Sequence, residues 1–110
     1  MMKDRTYSRY TREAVVLLGK QVRLGRKQRK WTEHELAERA GIARATLQKI
    51  EKGDVSVAIG LVFEVAALVG VRLFDQEAST LVNHIARTDD KLAVLPRSVR
   101  KPGKAVDDDF

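Results

Sequence analysis

The stretch Trp31-Thr-Glu-His-Glu-Leu-Ala-Glu-Arg-Ala-Gly-Ile-Ala-Arg-Ala-Thr-Leu-Gln-Lys-Ile-Glu-Lys-Gly53 decides the fold. Thr32 followed by Glu35 has capping-box spacing, in which the cap hydroxyl and the glutamate each satisfy a backbone N–H of the first turn. Trp31 precedes the cap and Leu36 holds the fourth helical position, which is the spacing of a hydrophobic staple. A helix is therefore predicted over 33–39, closed at Gly41 because glycine takes positive φ without a steric penalty. A second helix is predicted over 44–52, ending at Gly53. Leu36, Ala37, Ile42, Leu47 and Ile50 form a shared core between them, and the small Ala37 and Ala40 allow a close crossing. Arg44, Ala45, Gln48 and Lys49 do not serve that core and project outward on one face. Their chemistry suits base edges: Gln bonds adenine in two places, Arg or Lys bonds guanine, and the Ala methyl meets the thymine methyl.

Outward from this stretch the chain reads as further helices. Upstream, Thr11 caps a helix over 12–29, with Glu13 in its first turn and Leu18, Val22 and Gly25 at helical spacing. Residues 1–10 read as a loosely held arm. Downstream, Ser56 caps a helix over 57–69 that stops at Gly70 and carries Glu64 as its one charge. Val62, Ala66 and Val69 face its core side, while Leu61 and Leu68 face elsewhere. Val71-Arg72-Leu73-Phe74 alternates apolar and polar once. It is either a short strand paired with the same segment of a second chain or an extended linker packed on the bundle. Asp75 caps a helix over 75–87 with Leu81, Val82 and Ile85 on one side. Pro96 then opens a polar tail, ending Asp107-Asp108-Asp109-Phe110, whose composition predicts disorder. The expected fold is all-α: a compact bundle of four to five helices with a helix-turn-helix and, in one reading, a strand pairing across a dimer. The expected division is an arm at 1–10, a helix-turn-helix domain at 11–70, a dimerisation or interaction extension at 71–95 and a tail at 96–110.

Charge and composition narrow the function. The net charge of +6 is unevenly placed, with 14 Lys and Arg against 6 Asp and Glu in residues 1–53 and 7 against 9 in residues 54–110. The basic half suits a polyanion. With no cysteine, disulfides, thiolate nucleophiles and most structural zinc sites are excluded, and a cytoplasmic location fits. There is no apolar run long enough to span a membrane and no secretory h-region. His34 and His84 lack metal-ligand spacing, and no nucleophile–base set is visible, so neither a metal, a cofactor nor an enzyme is expected.

Thr32, Glu35-Leu36-Ala37, Gly41, Thr46, Ile50-Glu51 and Gly53 together resemble the helix-turn-helix of the Xre (Cro/CI-type) repressor family over residues 18–71. The resemblance implies base contacts from Arg44, Ala45, Gln48 and Lys49, and phosphate approaches at Thr32, Ala43, Thr46 and Lys52. It also implies an ion pair between Arg26 and Glu51, expected to be partly exposed and to contribute about 0–1 kcal/mol. Two positions depart from the family. Glu33 stands where Gln is usual, and a carboxylate there is repelled by phosphate. Gly25 stands where Leu is usual, so that either Trp31 fills the space or the first helix is weakened, glycine costing roughly 1 kcal/mol relative to alanine.

Ala45-Thr-Leu-Gln-Lys-Ile-Glu-Lys-Gly53, the apolar Ile59-Gly-Leu-Val-Phe-Glu-Val65 and the tail Leu95-Pro-Arg-Ser-Val-Arg100 further resemble HipB-type antitoxins. That resemblance implies a homodimer that represses its own operon at a palindromic operator in double-stranded DNA and binds a HipA-like serine/threonine kinase toxin. Leu61, Leu68, Val71, Leu73, Phe74, Leu81 and Ile85 are the expected dimer surface. Two other readings stay open: a stand-alone phage-like regulator without a toxin, and an interaction module that has lost DNA binding.

Overall fold

A computed structural model describes residues 5–74 and 80–102. The expected Asp75 cap and the Asp107-Asp108-Asp109 tail lie outside the described residues. Five helices occur in the order α1 (Arg9–Gln28), α2 (Glu33–Ala40), α3 (Arg44–Glu51), α4 (Ile59–Leu68) and α5 (Leu81–Ala93), with no strand among the described residues. The chain divides into two compact units, Met1–Asp75 and Gln76–Phe110.

In the first unit α1, α2, α3 and α4 enclose one apolar core, with packing between α2 and α3, α1 and α3, and α2 and α4. Val22, Leu36, Ala37, Leu47, Ile50, Val65, Ala66 and Val69 are buried, and Trp31, Ile42, Val62 and Leu68 pack against them. The capping box forms in full, Thr32 Oγ1 accepting from the Glu35 N–H at 3.0 Å and the Thr32 N–H donating to Glu35 Oε1 at 2.8 Å. Gly41 takes φ 72° and turns the chain out of α2, and the Ile42 N–H then donates to the Ala37 carbonyl at 3.0 Å. That left-handed residue sets the angle at which α3 leaves α2.

Several sequence expectations shift. α1 begins at Arg9, because Ser8, not Thr11, accepts the capping bond, donated by the Thr11 N–H. Ser56 does not cap α4. Its N–H donates to Asp54 Oδ1 at 2.8 Å and its hydroxyl bonds the same oxygen, so it closes a turn and α4 starts only at Ile59. On α4, Leu68 packs against the core instead of facing away, and Val65 is fully buried. Gly25 is no weakness. A Cβ there would lie 2.8 Å from the Val69 carbonyl and 2.9 Å from the Val69 Cβ, so α1 needs glycine to approach the end of α4. The space a Cβ would enter is taken by Val69.

Within the second unit, α5 runs through Asp89 and Asp90 to Ala93, beyond the expected end at 87. Leu81, Val82, Ile85 and Leu92 fall on one side of it, yet no residue of α5 is buried. Val71–Phe74 forms no strand in this single chain. The Val71 N–H instead donates to the Ala66 carbonyl at 2.9 Å, closing the end of α4.

Candidate nucleic-acid interface

α3 is held from beneath and open above. Leu47 and Ile50 are buried, while Arg44, Ala45 and Lys49 are exposed and Gln48 and Thr46 are half-buried. The 3.6-residue period places Ala45, Gln48 and Lys49 on the side of the helix away from Leu47 and Ile50, with Arg44 and Thr46 at the edges of that side. Ala43 begins α3 with no side-chain cap, and Lys52 closes it with its N–H on the Gln48 carbonyl at 3.0 Å. Thr32, at the start of α2, is exposed and spends its hydroxyl on the capping box. The four residues expected to read bases therefore share one accessible surface; of the four expected to approach phosphates, Thr32, Ala43 and Lys52 are exposed and Thr46 is half-buried.

Glu33 closes a link across that surface. Gln48 donates through Nε2 to Glu33 Oε1 at 2.9 Å, and Arg44 donates through Nε to the same oxygen at 3.1 Å. The Gln48 bond first, and the Arg44 bond next, hold the Glu33 carboxyl below its ordinary value. Sequence reasoning saw Glu33 only as a charge unsuited to a phosphate contact. The separations of 11 and 15 residues carry no local signal, because they exist only once the Gly41 turn brings α2 against α3.

Arg26 and Glu51 form the second polar link, and it is buried rather than partly exposed. Arg26 donates from Nε to Glu51 Oε2 at 2.7 Å and from Nη2 to Oε1 at 3.0 Å, with the two side chains 8% and 6% exposed. A third bond runs from Nη1 to the Trp31 carbonyl at 3.1 Å. The Glu51 hydrogen bond raises the Arg26 pKa against the opposing effect of burial. This planar two-point bond ties α1 to the end of α3, and the guanidinium also pins the residue before the α2 cap. Arg29, which sequence reasoning passed over, donates from Nη1 to the Val69 carbonyl at 2.7 Å and so satisfies the end of α4. Arg39 lies over the Trp31 ring at 4.3 Å and Arg29 at 5.8 Å, so the staple tryptophan is clasped by two cations.

Known proteins share this fold. A helix-turn-helix family pattern matches residues 22–76, half of the chain. Among solved structures, HipB in its complex with an O2 20mer is 23% identical, with a TM-score of 0.50, covering 70% of this chain and 99% of that one. An MDT protein is 24% identical with the same TM-score of 0.50, covering 69% of this chain and 99% of its own. Those two likenesses bear on the fold. No curated protein matches the chain. Among the described residues no helix is long and apolar enough to cross a membrane. With the turn at Gly41, the buried seam between α2 and α3 and the outward face of α3, the chain belongs to the helix-turn-helix family, of the Xre-like kind, and is a DNA-binding transcription regulator.

Proposed function

We propose that this chain binds a palindromic operator in double-stranded DNA as a homodimer, represses its own operon and acts as the antitoxin of a HipA-like kinase toxin. The observation that carries the DNA reading is the face of α3, where Arg44, Ala45, Gln48 and Lys49 stand accessible on a helix anchored by Leu47 and Ile50. In this reading those four side chains meet base edges in the major groove. Thr32, Ala43, Thr46 and Lys52 approach the flanking phosphates. Two symmetry-related copies of α3 then enter successive major grooves about 34 Å apart.

Exposed apolar surface supports the homodimer. Leu61 is 39% exposed, Leu73 36%, Phe74 58%, Leu81 37% and Ile85 59%. Phe63 meets Phe74 edge-on with ring centroids 6.2 Å apart, which extends the apolar surface of the first unit. Leu68 and Val71 of the expected dimer surface pack against the chain's own core and offer less to a partner. The antitoxin part of the reading rests on the resemblance of the chain's sequence to HipB-type antitoxins, and HipB, which shares the fold, is itself seen in complex with an O2 20mer.

The test is recovery of the tagged protein from its host, with both co-purifying DNA and co-purifying protein identified. Enrichment of the chain's own upstream DNA together with a kinase is the expected result. DNA without a kinase would leave a stand-alone regulator, and a partner protein without DNA would leave an interaction module.

A further inference from the structure

We propose that Glu33 is the specificity-setting residue of this interface: its carboxylate positions Arg44 and Gln48 for base reading and opposes contact with phosphates in general. The inference rests on the DNA reading above. Three features of the structure carry it. First, one oxygen, Glu33 Oε1, accepts from both Gln48 Nε2 and Arg44 Nε, so a single group orients two of the four expected reading side chains before any DNA arrives. Second, the bonds are economical. Arg44 keeps both terminal nitrogens, a pair of donors that can meet a guanine edge. Gln48 spends one amide hydrogen and retains its carbonyl and the other hydrogen, enough for an adenine edge. Third, Glu33 lies at the first position of α2, immediately after the exposed Thr32. If Thr32 approaches a phosphate, the carboxylate beside it raises the energy of every docked sequence alike. Only a sequence that engages the oriented Arg44 and Gln48 offsets that repulsion.

The two effects separate in two variants. Glu33→Gln removes the charge but keeps an oxygen that accepts from Gln48 and Arg44. Glu33→Ala removes both. The probes are a pool of randomised 30-base-pair duplexes, sequenced after selection, and one fixed duplex of unrelated sequence. With the unrelated duplex, Glu33→Gln is expected to bind about threefold more tightly at low salt, the size of one unit charge met across several ångströms of water. The slope of log affinity against log salt steepens by about one for the same reason. With the selected pool, Glu33→Ala is expected to lose about tenfold of base discrimination at the positions read by Arg44 and Gln48. Preferences set by Ala45 and Lys49 stay in place, and Glu33→Gln retains most of the wild-type motif. A merely structural role for Glu33 would instead weaken every position together. Unchanged preferences in Glu33→Ala, or a uniform loss at all positions, overturn the positioning role, and unchanged affinity of Glu33→Gln for the unrelated duplex overturns the charge role. A wild-type protein that selects no motif overturns the DNA reading itself, which is a different result from either.

Discussion

α3 and α5 are both amphipathic, but they meet different fates. α3 buries Leu47 and Ile50 in a core built with α1, α2 and α4, and its polar face is left to a ligand. α5 carries Leu81, Val82, Ile85 and Leu92 on one side and buries none of them. A helix of this length is marginal in water unless an apolar face is packed. The contrast teaches that patterning alone assigns a helix its faces but not their occupants. For α3 the occupant of the apolar face is supplied by the same chain within one short stretch. For α5 a second copy of the chain fits the homodimer we propose.

The largest effect is expected where the first unit is most tightly cross-braced. Glu51→Ala leaves the Arg26 guanidinium buried without its carboxylate and should cost about 3–5 kcal/mol in chemical denaturation. Replacing both members by apolar residues of similar size should recover most of that loss, because the remaining charge is what makes the single change so costly. Next, Leu47→Ala in the fully buried seam should cost about 3 kcal/mol. Ile85→Ala in α5 should cost under about 0.5 kcal/mol at protein concentrations where the chain is monomeric. Equal losses for the two would break the contrast between α3 and α5. At higher concentration, Ile85→Asp should shift sedimentation toward monomer, and an unchanged distribution would remove α5 from the dimer surface.

A loss of about 1–3 kcal/mol, between those of Leu47→Ala and Ile85→Ala, is expected for Gly25→Leu, since the added side chain meets Val69 where α1 and α4 touch. A neutral result by thermal unfolding would mean that α4 gives way there. The smallest effect is electrostatic. Hydrogen bonds from Gln48 and Arg44 lower the Glu33 pKa, and those from Ser56 lower that of Asp54. Both carboxyls bind protons more weakly folded than unfolded, so their contribution is complete above the ordinary carboxylate range near about pH 4 and is lost below it, as pH falls through the lowered folded-state values. Both groups are close to solvent, so the decline in melting temperature below that range should be slight, and Glu33→Gln should reduce it further.

What the sequence made legible was local. The Thr32–Glu35 capping box, the αL residue at Gly41 and the inward residues Leu36, Ala37, Leu47 and Ile50 depend on neighbours three to five positions away, where helical geometry already fixes who meets whom. The Arg26–Glu51 partnership was legible only through family resemblance, and its burial was not, because exposure depends on how four helices close around it. Ser56 was misread as a cap because Asp54 competes for it two residues upstream. Gly25 was misread because the reason for it, Val69, lies on another helix. The sequence by itself determined that α2, a glycine turn and α3 would form, and which side of α3 would face inward. Only the tertiary structure decided that Glu33 would hold Arg44 and Gln48, that Arg26 and Glu51 would be buried, and that Leu68 would turn to the core. Those contacts join residues far apart in the chain, and they exist only after the turn at Gly41 and the closure of α1 and α4 have brought the helices together.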